Sequence, residues 1–351
     1  TIYYENAILK VYGMPIFYFP RFLHPDPTVK RSSGFLSPIF TNSTTVGAGF
    51  GLPYYWAISH DKDFTFTPKF YGKENPLLLN EYRQAFKNGF LTLDTSYTEG
   101  YKNVSSNKTD GSRNHIFANF RHSFLEKENS YSNLEINLQH VSNDTYLEVH
   151  DIKTDLVEKD QVLKNEIKYQ YQDDEEYFGL IATAYEDLNI ADRSKYEYIL
   201  PNLVYERNLV SSEKIGIIDL YTNAIAKNYK VNQTTKFLVN NIGWKSRSFN
   251  NAAGLQTDLE GLLKVVTYDA ENTDDYKNEE FNAQTFGALA YNISFPTFKE
   301  NMVKNRINFF TPKGSLRYAP GHMRNINSDD LRLNYSNLFS LNKNSNIDVL
   351  E

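Results

Sequence analysis

Apolar and polar residues alternate along many strand-length stretches of this chain. In Asn133-Leu134-Glu135-Ile136-Asn137-Leu138-Gln139, one face carries Leu, Ile and Leu, and the other Asn, Glu, Asn and Gln. The same period of two runs through Phe64-Thr65-Phe66-Thr67-Pro68-Lys69-Phe70, Leu255-Gln256-Thr257-Asp258-Leu259-Glu260 and Phe281-Asn282-Ala283-Gln284-Thr285. Successive side chains of a strand point to opposite faces, so this period predicts β-structure.

Strands are predicted near 35–40, 46–58, 63–71, 77–86, 89–98, 115–124, 133–140 and 163–171, and again near 177–185, 196–205, 215–226, 236–247, 255–268, 281–293 and 306–318. Before them, an apolar stretch at 7–19 leads into a proline-rich connector, Phe22-Leu23-His24-Pro25-Asp26-Pro27, which reads as a boundary. The strands are joined by short polar turns, such as Asn88-Gly89 and Asp173-Asp174-Glu175-Glu176, and by longer polar stretches at 100–113 and 141–160. Unequal connections between long strands fit an all-β, antiparallel up-and-down transmembrane β-barrel. No fixed-length repeat supports a propeller or solenoid. Glu135, Asn137, Gln139, Asp258 and Glu260 are candidate lumen-facing residues, and Tyr54, Tyr55 and Trp56 are candidate interfacial aromatics. A soluble β-sandwich also consumes aromatics, but amides, threonines and mixed charges opposite the apolar stripe favour the barrel.

Composition sharpens this reading without overturning it. Tyr 26 and Phe 24 bring the aromatic share of the 351 residues to 15%, and the mean hydropathy is -0.55. No run reaches the ~20 apolar residues of a membrane helix, whereas barrel strands need only alternate apolar positions. The net charge of -6 is spread without a basic stripe, which argues against a nucleic-acid partner. Cys 0 removes disulfides and thiol chemistry. The ends, Thr1-Ile2-Tyr3-Tyr4-Glu5 and Asp348-Val349-Leu350-Glu351, read as those of an internal piece of a longer protein.

Catalytic motifs are absent. The acidic run Asp173-Asp174-Glu175-Glu176 reads as a solvated turn, and the His115/His122 and His140/His150 pairs lack zinc-hydrolase spacing. There is no Gly-x-Ser-x-Gly elbow or phosphate-cradling glycine loop, and nothing selects a pair of carboxylates for glycoside chemistry. No enzyme, cofactor or metal is predicted. Two prolines, Pro38 and Pro53, interrupt successive early strands, where a ladder donor is missing. They mark either ordinary bulges or strand ends, or a seam of weak pairing in a barrel that should have no edge.

Asp26-Pro27-Thr28-Val29-Lys30-Arg31-Ser32-Ser33-Gly34-Phe35-Leu36-Ser37-Pro38, with Leu52-Pro53-Tyr54-Tyr55-Trp56-Ala57-Ile58, resembles the lipopolysaccharide-assembly outer-membrane LptD family, also called the organic solvent tolerance family. Val11-Tyr12-Gly13-Met14-Pro15-Ile16-Phe17-Tyr18-Phe19-Pro20, Val141-Ser142-Asn143-Asp144-Thr145-Tyr146-Leu147, and the segment from Asp329-Asp330-Leu331 through Asn337-Leu338-Phe339-Ser340 to Asp348 agree with it. Asp330 and Asn346-Ile347 depart from the family's pattern, which has Ser after the first Asp and Gly-Tyr before Asp348. The resemblance implies the end of a periplasmic β-jellyroll in residues 1–25 and the first half of a barrel, roughly 14–16 strands, in residues 26–351. Pro25, Asp26, Pro27, Arg31 and Gly34 would form the junction, and Pro38 and Pro53 a lateral gate. The implied role is delivery of lipopolysaccharide into the outer leaflet of the Gram-negative outer membrane. The implied partners are lipopolysaccharide, the plug lipoprotein LptE and, through a region before Thr1, the periplasmic bridge protein LptA. A porin or receptor barrel is the main alternative, and it gives no reason for two successive strand prolines. A soluble β-rich protein acting on polysaccharide is the other.

Overall fold

The computed structural model describes residues 2–11, 13–24, 31–105, 108–157, 161–272, 281–301, 306–320 and 341, and these are built almost wholly of antiparallel β-structure. They fall into two compact units, residues 1–120 with 139–158, and residues 121–138 with 159–351.

In the first unit, β1 (Ile2–Val11) and β2 (Met14–His24) form a two-stranded sheet of their own. The chain turns between them at Gly13, whose φ of +82° suits a residue without a Cβ. A meander then begins in short pieces, β3 (Gly34–Phe35), β4 (Ile39–Ser43), β5 (Gly47–Gly51) and β6 (Tyr54–Trp56). It continues through β7 (Lys62–Tyr71), β8 (Leu77–Phe86) and β9 (Gly89–Ser105), each paired to the one before. Two further strands, β10 (Lys108–Lys127) and β11 (Ser130–Val141), each have residues assigned to both units, and the connection after β11 contains a one-turn helix, α1 (Tyr146–Val149).

The second unit continues with β12 (Val162–Gln172), β13 (Glu176–Asp187), β14 (Tyr196–Ser212), β15 (Gly216–Tyr229) and β16 (Gln233–Lys245). After a short β17 (Phe249–Asn250) come β18 (Gln256–Glu271), β19 (Asn282–Ser294), β20 (Thr297–Asn301), β21 (Arg306–Phe310) and β22 (Lys313–Tyr318). Its sheet runs from β11 and β12 through β16, β18 and β19 to β22, each strand antiparallel to its neighbour.

Four expectations change. The stretches 35–40 and 46–58 are each split at a proline, because the ring removes the donor a continuous ladder needs. The stretch 306–318 is split at Pro312, with β21 pairing β20 and β22 pairing β19. The polar stretch 100–113 is largely strand, since β9 and β10 extend beyond the apolar alternation. There the positive φ of Gly100 and Gly111 lets the chains approach so closely that a Cβ on Gly100 would overlap the Gly111 carbonyl. Finally, the polar stretch 141–160, expected only as a long connection, carries the one-turn α1 and buries Tyr146 and Leu147.

Polarity across the sheet is the reverse of that of a water-soluble protein. Along β7, the buried face carries Asp63, Thr67, Lys69 and Tyr71, while Phe70 on the other face is 53% exposed. On β10, Ile116 is 48% exposed, and the flanking Arg113, His115 and Asn119 are buried. On β18, Leu263 is 44% exposed beside Lys264 at 2%. Scattered exposed apolar residues are normal, but a repeated exposed apolar stripe backed by buried charge marks a wall with oil on its open side. Burial in the second unit also includes an apolar cluster on the covered face, formed by Phe237, Val239, Val266, Tyr268, Ala270 and Phe286.

Candidate functional site

The first hairpin of the meander is interrupted on both arms at one level. Gly34 faces Tyr55 and Ile39 faces Gly51, so five positions on the first arm advance against four on the second. The extra residue is a β-bulge at 36–38. Its effect is specific. Phe35 and Phe40 lie five residues apart and would point to opposite faces of a regular strand, yet each meets an aromatic partner on the second arm, Phe35 with Tyr54 at 5.1 Å and Phe40 with Phe50 at 5.5 Å. All four are exposed.

The ladder is also thin here. A hydrogen-bonded antiparallel pair normally exchanges two N–H···O bonds. Leu36 and Pro53 exchange one, from Leu36 N to Pro53 O at 2.9 Å, and Leu52 and Pro68 exchange one, from Leu52 N to Pro68 O at 3.3 Å. Pro38 lies within the bulge. Sequence reasoning separated a bulge from a weak seam, and the structure has the bulge and the thinned ladder together. Pro68 was quoted in its strand but not recognised as part of the same weak level.

Below the break, side chains take over from the ladder. Arg31 donates from Nε to the Tyr55 hydroxyl (2.8 Å), from Nη1 to the His60 carbonyl (2.7 Å), and pairs through Nη2 with the Asp63 carboxylate. The other Asp63 oxygen accepts from Arg83 Nε at 2.9 Å. Asp63 is buried, so its carboxylate binds two guanidinium groups from within the wall. Ser33 Oγ accepts from the Ala57 amide at 3.0 Å beside them. Of the five expected junction residues, Arg31 and Gly34 are therefore placed, Gly34 as the first residue of β3, while Pro25, Asp26 and Pro27 lie outside the described residues. Tyr54 and Trp56 stand on the open face, but Tyr55 turns to the polar face to meet Arg31, which removes it from the interfacial aromatics. The reason is the two-residue period itself: three consecutive strand residues cannot share a face.

Residues 142–157 pack onto the polar face of the first unit. The Tyr146 hydroxyl lies 2.7 Å from Ser96 Oγ, Ser96 Oγ lies 2.5 Å from His115 Nδ1, and His115 Nε2 lies 3.2 Å from Asp94 Oδ1. With Asp94 accepting from Nε2, the bonds chain as Tyr146 to Ser96 to His115 Nδ1. The Ser, His and Asp of this chain resemble a nucleophile relay, but Ser96 and His115 are both buried, at 4% and 0% exposure, beneath the Tyr146 hydroxyl. They tie the loop to the wall. Burial pushes the Tyr146 hydroxyl up to about 12. The ring of His150 lies 5.1 Å from that of Tyr146 and 5.8 Å from that of Tyr71, and burial pushes it down to about 4, with Glu74 opposing that shift and Arg113 and Lys69 adding to it. Gln139 Nε2 donates to the Leu156 carbonyl at 2.6 Å, closing the base of the loop. Only the tertiary contacts reveal this cluster, because it joins residues as far apart in the chain as Tyr71 and His150 and carries no motif.

The remaining candidate lumen residues form cross-strand polar pairs. Glu135 accepts from Arg121 at 3.0 Å, and Asn137 stands opposite Glu166. Glu260 pairs with Lys245 at 3.0 Å, and Asp258 accepts from Asn292 at 2.9 Å, whose own oxygen accepts from Ser315 at 2.7 Å. At the acidic turn, Asp173 accepts from the amides of Glu175 and Glu176, which holds its carboxyl below the usual range together with the Tyr171 hydroxyl bond. Among the described residues, no group of three or more His, Cys, Asp or Glu is arranged to hold a metal. The late stretch from Asp329 to Asp348 falls largely outside the described residues.

Together these features define an all-β protein built as a long antiparallel sheet, with an apolar open face, a charged covered face and a weakened first hairpin. The family model described as LptD protein matches residues 2–251, and the chain belongs to this family of outer-membrane proteins. Among curated relatives, the LPS-assembly protein LptD of Nitrosococcus oceani is 31% identical over 169 residues, covering 48% of this chain and 21% of the relative. That of Shewanella oneidensis is 37% identical over 106 residues, covering 29% and 14%. That of Legionella pneumophila strain Lens is 33% identical over 164 residues, covering 43% and 19%. The matched stretch is thus about a fifth or less of each relative's length.

Proposed function

We propose that this chain forms the end of a periplasmic jellyroll, in residues 1–25, and part of the wall of an outer-membrane β-barrel, in residues 26–351. The barrel passes lipopolysaccharide sideways into the outer leaflet through a seam beside the first hairpin. The substrate is taken from the relatives, which are named as LPS-assembly proteins. This is transport, not catalysis. The separate β1–β2 sheet supports the jellyroll assignment, and the inverted polarity supports a wall between lipid and water.

The observation that carries the lateral route is the paired interruption of the first hairpin at Pro38 and Pro53. Each absent ladder bond lowers the cost of parting the strands by roughly 0.5–1.5 kcal/mol. Sugars would follow the polar face, where Glu135, Asn137, Gln139, Asp258 and Glu260 stand, while acyl chains leave through the seam. The plug lipoprotein LptE would meet this same polar face, and the bridge protein LptA would dock upstream of Thr1, on the periplasmic side.

The test is complementation with the full-length gene carrying Pro38→Ala and Pro53→Ala together. Slower appearance of lipopolysaccharide at the cell surface and greater sensitivity to bulky antibiotics are expected. Wild-type delivery by a normally folded double variant would overturn the seam.

A further inference from the structure

The backbone alone holds the base of the first hairpin weakly. Below the proline level, β3 has two residue pairs with β6, and β6 has three with β7. An opening here would detach the whole hairpin unless something else fixed its base. Arg31 has the geometry to do so. It lies three residues before β3 begins at Gly34, and its guanidinium reaches three successive elements: the Tyr55 hydroxyl on β6, the His60 carbonyl in the turn, and Asp63 on β7. Through Asp63 the connection continues to Arg83 on β8.

We propose that Arg31 is a positioning residue, a latch that pins the base of the first hairpin to the wall so that the seam opens as a hinge at the Pro38/Pro53 level. Three features of the chemistry favour this role. The planar guanidinium presents donors in several directions, and all three of its nitrogens are engaged by acceptors on different elements. Asp63 is 6% exposed, so the carboxylate is a fixed acceptor inside the wall. The latch also precedes β3 directly, so any pull along the chain from β2 meets Arg31 before it reaches the thinned ladder. The strand edge above the break is left free to move, and the edge below it is not.

Asp63 serves two guanidinium groups, but Arg83 also pairs with Glu81 at 3.2 Å, so loss of Asp63 leaves Arg83 a second carboxylate and leaves Arg31 its contacts to Tyr55 and His60. Arg31→Gln removes all three contacts and Asp63→Asn weakens one, so Arg31→Gln should loosen the base at least as much as Asp63→Asn, and the double variant by less than the sum of the two single effects. Arg31→Lys keeps the charge but cannot reach all three acceptors, and should fall between Arg31→Gln and wild type.

This inference rests on the proposed seam, but its test does not use transport. Residues 1–351 contain no cysteine, so spin labels can be placed by paired Cys substitutions in this stretch of a full-length protein in which any cysteine outside it has been replaced by serine. One label pair at Phe35 and Phe86 reads the base, and another at Phe40 and Phe70 reads the arm above the break. In wild type, the base pair should give a narrow distance distribution and the upper pair a broad one. Arg31→Gln should broaden the base pair until it matches the upper pair. An unchanged base distribution in Arg31→Gln, or broadening that adds in the double variant, would overturn the latch. If Arg31→Gln does not fold, the intermediate behaviour of Arg31→Lys decides in its place. A confirmed latch with normal surface delivery in the proline variant would retain the hinge and reject the seam as the exit route.

Discussion

His150 shows how a single side chain is set by its surroundings. It lies on the loop after β11, outside the strands, with Tyr71 and Lys69 of β7, Glu74, Arg113 of β10 and Tyr146 around it. Its folded value of about 4 lies below the ordinary 6.5, so the docked loop holds the neutral imidazole. The undocked loop takes up a proton first as pH falls. Docking is thus at full strength above about pH 6.5 and is lost progressively toward pH 4, by about 3 kcal/mol over that window. Hydrogen exchange at 146–152 should show protection falling between pH 7 and pH 5 beyond the intrinsic rate change. The His150→Phe variant keeps the ring packing and should show no such loss. Equal loss in both proteins would remove His150 as the cause.

At the scale of a strand, the two faces of β18 make opposite demands. Leu263 is on the open face, whereas Gln256, four positions from Glu260 and eight from Lys264, is on the covered one. Leu263→Arg should cost about 2–4 kcal/mol in folding into a bilayer if the site lies near the midplane, and Gln256→Arg should cost less than about 1 kcal/mol. Urea titration of full-length protein folded into vesicles measures both, and equal costs would mean that the exposed leucines do not face lipid. The first hairpin obeys the same logic with one refinement, since the bulge at 36–38 returns Phe40 to the open face that Phe35 already occupies.

For the whole molecule, the consequence of an apolar open face is a need for amphiphile. The full-length protein should stay monodisperse in detergent and associate when detergent is removed, as size-exclusion chromatography with light scattering would report. A monodisperse detergent-free protein would end the membrane reading.

How far the sequence reached depended on whether the signal was local. β8 runs from Leu77 to Phe86 as the alternation predicts, and β7 begins one residue early, at Lys62. Pairing hidden in polar residues was not legible: β9 and β10 continue through the stretch 100–113 because any residue offers a backbone donor and acceptor, whether or not its side chain is apolar. The inward fold of 142–157 was missed because its anchors, Ser96 and His115, belong to other strands. Arg31 was placed at the junction by resemblance, but its partner Asp63, 32 positions away, was not recognised.

The sequence by itself determined the strand period, the positions of most strands and the two prolines that interrupt the first hairpin, since all of these follow from the geometry of a residue and its immediate neighbours. Only the tertiary structure decided which face is covered, that the two breaks lie at one level, and which charges meet across them. Those are matters of register between strands, and register is set by pairing partners far apart in the chain.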